Sequence, residues 1–210
     1  MNMKHAKPSK SPFWYWSNWK AIGSSRDGTS SREGARTIYS QSIRPPHEIE
    51  SSIVLGHGAI DPSTVPLFVG NLEVAAKPDD CPRPVAEMFI VSDRLRNIID
   101  IAAPGNCQFF PMKVSYNDKP CDLVYWVLYV DSVDCADQQL SGRTHEGRIW
   151  DPVIVENRVP PSTQLLRVWD PVQGTSDLRI LVRDSLRRLL IREKVSGCSF
   201  YMPRFAASRP

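Results

Sequence analysis

The chain has 210 residues, of which 41% are hydrophobic and 23% charged, values typical of a globular protein with one substantial core. Its longest strongly apolar run, residues 123–130, is too short for a membrane-spanning helix, which needs about 20 residues. The lysines near the N-terminus are not followed by the apolar stretch of about 7–15 residues that marks a secretion signal. We therefore expect a soluble, cytoplasmic protein without a membrane partner.

Charge is unevenly distributed along the chain and suggests two regions. Residues 1–44 hold eight basic and two acidic side chains, a balance of +6, whereas residues 45–210 hold 18 basic and 21 acidic ones, a balance of −3. The first region mixes lysines with aromatic residues and continues into a stretch rich in glycine, serine and arginine, without a helical or strand period. We predict that residues 1–44 form a basic, partly flexible arm and that residues 45–210 form a single domain.

Proline-rich sequence fills the start of the predicted domain, with seven prolines in residues 45–84. This composition predicts short strands and turns around the apolar runs at residues 53–55 and 67–69. A strand is expected next over residues 87–91, and Ser92 behind it is a favourable N-cap for a helix.

A helix is predicted after Ser92, because four apolar residues recur at the spacing of one helical face before a proline–glycine pair ends the pattern. These four residues are Leu95, Ile98, Ile99 and Ala102. Strands are expected to follow at residues 108–114, 123–130, 153–155 and 165–169. The second of these strands is rich in β-branched and aromatic residues and should be a buried central strand.

The same succession of strand, helix and strand returns near the C-terminus. Residues 178–182 indicate a strand, Leu186, Leu189 and Leu190 an apolar helical face, and residues 198–200 another strand. A shift of 91 residues without gaps superposes Val91 on Val182, Asp93 on Asp184, Leu95-Arg96 on Leu186-Arg187, Cys107 on Cys198, and Phe109 on Phe200. We infer an α+β fold, a mostly antiparallel sheet with two related strand–helix–strand units packed in one core.

Two pairs of motifs carry a resemblance to a known family. The first pair is residues 89–96 (FIVSDRLR) with residues 107–111 (CQFFP), and the second is residues 178–190 with residues 196–200 (SGCSF). Together they resemble the eleventh class of bacterial polymorphic-toxin immunity proteins, over roughly Val85 to Phe205. The resemblance implies a cytoplasmic antitoxin that acts in competition between bacteria, binding and neutralising a cognate toxin encoded by the adjacent gene. It implies no enzymatic activity.

Sequence patterns for catalysis or cofactor binding do not emerge from the chain. The histidines share no ligand spacing with the cysteines, and His145-Glu146 lacks the second histidine of an HExxH motif. Neither glycine-rich phosphate-binding fingerprint occurs. We predict no catalytic residue, no metal and no cofactor. His57, between two glycines, leaves a small hydrolase as an alternative, although an exposed turn is the favoured interpretation.

The cysteines are five in number and contain no CxxC pair, which argues against a disulfide scaffold. Reduced, mostly buried thiols in a cytoplasmic protein are expected instead.

The basic, aromatic N-terminus leaves a second alternative, a module that binds nucleic acid. Lysines interleaved with aromatic residues can contact phosphates and stack on bases. The aromatic residues here are clustered rather than spaced, and the acidic remainder of the chain would repel a nucleic acid. Aromatic residues that dock on the protein's own domain are the favoured interpretation, and nucleic acid is not an expected partner.

Acidic residues concentrate around the predicted strand 123–130. Five aspartates with the single Lys119 give a charge of −4 within twenty residues: Asp118, Asp122, Asp131, Asp134 and Asp137. They should lie at the two ends of the strand and on the following loop, where they either keep the protein soluble or dock a basic toxin. We take these aspartates as candidate toxin-binding residues, with Trp14 and Trp16 as the second candidate set.

Overall fold

The computed structural model describes residues 13–17, 37–39, 58–65, 67–72, 79–84, 88–105, 107–116, 119–177, 179–201 and 204–205. Two α-helices, α1 (Asp93–Ala102) and α2 (Asp184–Arg192), lie within these ranges. The strands are β1 (Phe13–Ser17), β2 (Thr37–Tyr39), β3 (Phe68–Leu72), β4 (Arg83–Pro84), β5 (Phe89–Ser92), β6 (Cys107–Tyr116), β7 (Lys119–Pro120), β8 (Tyr125–Val130), β9 (Ser132–Val133), β10 (Gly142–Arg143), β11 (Ile149–Asp151), β12 (Val153–Ile154), β13 (Leu165–Asp170), β14 (Thr175–Ser176), β15 (Ile180–Arg183), β16 (Ser199–Tyr201) and β17 (Arg204–Phe205).

The first sheet has its strands in the order β4-β2-β3-β6-β8-β5, with β7 beside β6. β8 lies between β5 and β6 and is antiparallel to both, while β3 and β6 are parallel. The sequence of β8, YWVLYV, is buried at every position but one. Its β-branched and aromatic side chains suit a strand covered on both faces, as predicted. The predicted strand starts two residues too early, because Leu123 and Val124 are exposed and precede β8.

The second sheet has the order β14-β13-β15-β1-β16, with β9 beside β13. β1 lies between β15 and β16 and is antiparallel to both. The sequence of this part of the chain has no regular helical or strand period. Phe13, Tyr15 and Trp16 are all buried, so residues from both faces of β1 are covered and the alternation typical of a half-exposed strand is missing.

Both predicted helices are present, and α1 begins where the sequence indicates. The Ser92 hydroxyl accepts a hydrogen bond from the Leu95 N–H at 3.1 Å, so the N-cap of α1 is confirmed. α1 ends at Ala102, and Gly105 adopts a φ of +78° in the turn that follows, a conformation glycine reaches without strain. α1 packs against β5 and β8, and α2 packs against β15 and β1.

Residues from both sheets and both helices meet in one hydrophobic cluster. Leu95 and Ile99 of α1 lie in it with Leu186 and Leu190 of α2. Trp16 of β1 joins the same cluster. Its ring meets the ring of Phe89 edge-on, with the two ring centroids 5.4 Å apart. The fold is therefore α+β, two helices with mixed sheets in which antiparallel pairs predominate, and the predicted class is confirmed at this level.

The remaining predicted elements are found with small shifts. β12 and β13 correspond to the strands predicted at 153–155 and 165–169, and β15 starts at Ile180 rather than at residue 178, which lies outside the described residues. The apolar run 53–55 also lies outside them. All five cysteines are free thiols. Among the described elements, no helix has both the length and the apolar character needed to cross a membrane.

Candidate functional site

The aspartates singled out in the sequence lie at opposite ends of β8. Asp122 precedes the strand and Asp131 follows it, so the six residues of β8 separate them by about 20 Å. Asp134 and Asp137 lie on the same side as Asp131, on the chain that continues from β9. Asp118 lies outside the described residues. The expected positions at the two strand ends are thus found for Asp122 and Asp131, and the set does not form one patch.

Two of these aspartates shape the loops that hold them. The Asp131 carboxylate accepts backbone hydrogen bonds from Gly58 at 2.9 Å and from Ser132 at 2.8 Å. Asp137 Oδ1 accepts backbone hydrogen bonds from Gln139 and Leu140 at 2.9 and 3.0 Å. Carboxylates that hold backbone N–H groups in this way fix local conformation.

Asp134 differs from its two neighbours, because it is exposed and no hydrogen bond or ion pair of its carboxylate is found within the described ranges. Its charge is therefore directed at solvent, and a charge in that position is open to a partner.

The two candidate tryptophans of β1 have different environments. Trp16 is 1% exposed and belongs to the hydrophobic core, so almost none of its side chain is accessible at the surface. Trp14 is half-buried at the start of α2, where its indole N–H donates to Asp184 at 3.0 Å. With Phe13 and Tyr15 buried as well, the aromatic cluster offers few rings for stacking on bases.

Trp14 is held between an aspartate and an arginine of α2. The Arg187 guanidinium lies 4.1 Å from the Trp14 ring centroid and forms an ion pair with Asp184 at 2.8 Å. Burial opposes the charged form of Asp184, yet the hydrogen bonds and charges of Arg187 and Arg188 lower the pKa of its carboxyl below the usual value. We call Trp14, Asp184 and Arg187 the Trp14 clasp.

A matching arrangement, the Trp126 clasp, joins β8 to α1. The Trp126 indole N–H donates to Asp93 at 3.0 Å, and the Arg96 guanidinium lies 4.1 Å from the Trp126 ring centroid. Trp126 of β8 is paired with Val91 of β5, just as Trp14 of β1 is paired with Val182 of β15. Each clasp ties the first turn of a helix, where an acidic residue is favourable, to the central strand beside it. The sequence contained part of this signal, since the 91-residue shift superposes the aspartates and arginines of both clasps.

A further exposed site was not foreseen in the sequence. The hairpin of β10 and β11, residues 142–151, carries Trp150, whose side chain is 69% exposed. A cavity of about 480 Å³ lies beside it, lined by the hairpin, by β14, and by Asp170, Asp177 and Arg179. We call these residues 142–151 the Trp150 hairpin. A three-residue strand is too short to show a periodicity, so only the residue type of Trp150 could have drawn attention to it in the sequence.

Two arginine–aspartate pairs hold the Trp150 hairpin on the body of the protein. Arg143 Nη1 lies 2.8 Å from the buried carboxylate of Asp170, which also accepts a backbone hydrogen bond from Val172 at 3.1 Å. Arg179 pairs with Asp177 at 2.6 Å and also donates to the backbone carbonyl of Trp150. Burial opposes the charge of Arg179, but the hydrogen bonds to Asp177 hold its pKa above the usual value.

A second cavity, of about 540 Å³, lies at the other end of β8 beside Asp122. Met112, Val114, Leu123 and Val124 provide much of its lining. Leu123 and Val124 are exposed, so this end of β8 combines apolar side chains with the charge of Asp122.

Charge is separated between two neighbouring stretches of the described chain. Residues 131–177 carry eight acidic and four basic side chains, a balance of −4. Residues 179–201, which include α2, carry six basic and two acidic side chains, a balance of +4. The segment that contains Asp131, Asp134, Asp137 and the Trp150 hairpin is thus acidic.

Within the part of the chain that the structure describes, no three histidine, cysteine, aspartate or glutamate side chains are grouped so that they could hold a metal ion. His145 is exposed and lies 3.8 Å from Glu146. His57, the residue on which the hydrolase alternative depends, lies outside the described residues.

Comparison with known proteins identifies the class of the molecule. Residues 2–162, more than three quarters of the 210 residues, match a family model of immunity proteins. The chain belongs to that family, described as Immunity protein family (Imm11). The match starts further toward the N-terminus than the resemblance noted in the sequence, so it includes β1 and the Trp14 position, and it ends before α2. No curated protein matches the chain.

Proposed function

We propose that this immunity protein neutralises one cognate bacterial toxin by binding it and occluding it, with one molecule of protein blocking one molecule of toxin and no catalytic turnover. The observation that carries the proposal is the match of residues 2–162 to the immunity protein family. The toxin is encoded by the adjacent gene, and protection takes place in the cytoplasm.

The docking surface is the acidic end of β8, formed by Asp131, Asp134 and Asp137, which we call the acidic surface. Its support is the net charge of −4 over residues 131–177 together with the open carboxylate of Asp134. Complementary charge speeds the encounter of two proteins and selects between partners, so a toxin with a basic surface fits. Asp118, Asp122 and Trp14 remain weaker candidates for contact.

The scaffold behind this surface consists of two related units. The support is the superposition by 91 residues, now joined by the Trp14 and Trp126 clasps and by the arrangement of β15-β1-β16 and β5-β8-β6. In each unit two parallel strands flank an antiparallel one and a helix connects the outer pair. In this proposal the domain of residues 45–210 takes two strands, β1 and β2, from the preceding residues 1–44, whose remainder is the arm.

The test of the proposed function is a titration of toxin with the intact protein. Co-expression with the product of the adjacent gene should restore growth and yield a complex that co-purifies. With both proteins purified, residual toxin activity should fall linearly and reach zero at a ratio of one-to-one, because each bound protein blocks one toxin. Complete neutralisation far below one-to-one would contradict the proposal, since it would require turnover.

Reversal of one charge tests the acidic surface. Asp134→Lys should slow association with the toxin at low salt, and the difference should vanish near 1 M salt, where the screening length is about 3 Å. Asp134 is the residue to change because Asp131 and Asp137 also hold backbone N–H groups, so their loss would disturb the fold.

Asp122→Lys is the matched control for this reversal, an exposed aspartate at the other end of β8. Association rates from stopped-flow mixing, with a thermal melt of each variant, give the answer. Equal slowing by both variants would assign the effect to total charge and reject the acidic surface as the docking site.

A further inference from the structure

The exposed indole of Trp150 has the character of a binding anchor. Residues whose loss weakens protein interfaces strongly are enriched in tryptophan, tyrosine and arginine, and they cluster in well-packed pockets. Trp150 is 69% exposed, in contrast to the buried Trp16 of the core. The indole is therefore open to water, and it lies next to a cavity of about 480 Å³ that a side chain of a partner could enter.

The Trp150 hairpin is already held in one position before any partner arrives. Arg143 links it to Asp170 and also donates to the Gln138 side chain and to the backbone carbonyl of Gly147 in the hairpin turn. Arg179 holds the carbonyl of Trp150 itself. A surface fixed in advance loses little conformational freedom on binding, which favours affinity.

Charge around the hairpin indicates what kind of group binds. Arg179 lies 5.6 Å from the Trp150 ring centroid, so the indole already accepts one guanidinium while most of its surface stays open. Glu146 lines the cavity, is exposed, and makes a long contact of 3.8 Å with Arg148. The charged side chains that line the cavity are three acidic ones and two basic ones, a balance of −1: Glu146, Asp170, Asp177, Arg148 and Arg179. An aromatic face beside an exposed carboxylate attracts a cation.

We propose that Trp150 and the adjoining cavity anchor the toxin by receiving an arginine side chain from it. The guanidinium lies on the open part of the indole with Glu146 beside it, and the alkyl part of the side chain fills the cavity. The inference rests on the proposed function, and it adds the Trp150 hairpin to the acidic surface as the part of the interface that resists dissociation.

The experiment measures the affinity of variants of the full-length protein for the toxin. The toxin is the protein that the wild type captures from the co-expressing cells. Trp150→Ala should weaken binding at least about 30-fold, the loss expected when an interface anchor is removed, chiefly through faster dissociation. Trp150→Phe, which keeps an aromatic face, should restore part of the affinity. Ile101→Ala is the matched control, because Ile101 is 84% exposed on α1 and should leave affinity unchanged.

The outcomes separate this inference from the function beneath it. If wild-type protein neutralises the toxin and Trp150→Ala binds it as tightly, the anchor is rejected and the function stands. If Trp150→Leu restores affinity as well as Trp150→Phe does, the proposed contact with a cation is rejected, because an aliphatic side chain has no aromatic face on which a guanidinium can lie. If wild-type protein captures no toxin, both proposals fall. Thermal melts of all variants should coincide, since each changed side chain is exposed.

Discussion

Replacing Trp16 by alanine is expected to lower the free energy of unfolding by about 3–5 kcal/mol, because the change removes a fully buried ring and leaves a cavity. Trp16 lies in β1, between β15 and β16 of the second sheet, and its ring packs on Phe89 from the first sheet. The void would therefore open where the two sheets meet. Urea unfolding, followed by circular dichroism, measures the effect.

Trp14 provides the comparison for this experiment, two residues away on the same strand. Trp14→Phe keeps a ring against Arg187 but removes the N–H that donates to Asp184, so a loss of about 1 kcal/mol is expected. If Trp16→Ala cost no more than Trp14→Phe, Trp16 would not be a core residue, and its role as a toxin contact would have to be considered again.

Replacing Asp170 by alanine should also destabilise the protein by about 3–5 kcal/mol, the usual result of removing one partner of a buried ion pair. Asp170 is 3% exposed and accepts hydrogen bonds from Arg143 and from the backbone of Ile149 and Val172. Its loss leaves the charge of Arg143, which is three-quarters buried, without that partner. Because Arg143 holds the Trp150 hairpin, affinity for the toxin should fall along with stability.

An ion pair on the same hairpin serves as the control for Asp170. Glu146 and Arg148 are both more than half exposed and lie 3.8 Å apart, so Arg148→Gln should change stability by less than about 1 kcal/mol. Chemical denaturation of both variants gives the comparison. A cost below 1 kcal/mol for Asp170→Ala would show that the hairpin is held by other contacts.

Local signals in the sequence were sufficient for the helices and their neighbouring strands. Ser92 is an N-cap whose hydroxyl meets the Leu95 N–H, and Leu95 and Ile99 recur at the helical spacing. These features act between residues a few positions apart, so they can be recognised without knowledge of the fold. The same applies to β8, whose composition alone indicates burial.

Non-local contacts account for what was missed. Phe13–Ser17 becomes a strand because β15 and β16 lie on either side of it, and its partners are more than 160 residues away in the sequence. Asp134 is exposed to solvent, whereas the carboxylates of Asp131 and Asp137 accept backbone hydrogen bonds. This difference depends on loop geometry that cannot be inferred from the sequence. The same is true of Trp150, whose exposure is set by where the hairpin attaches.

The place of β1 between β15 and β16 also has a consequence for how the protein is made. A ribosome adding about 5–20 residues per second needs on the order of ten seconds to travel from Phe13 to Tyr201. Until β15 has been made, the aromatic residues of β1 have no strand of the second sheet to pair with, and exposed hydrophobic residues of this kind make a nascent chain prone to aggregation. A chain that stops before Ile180 lacks both strands that flank β1, so Phe13–Ser17 has no partner in the second sheet.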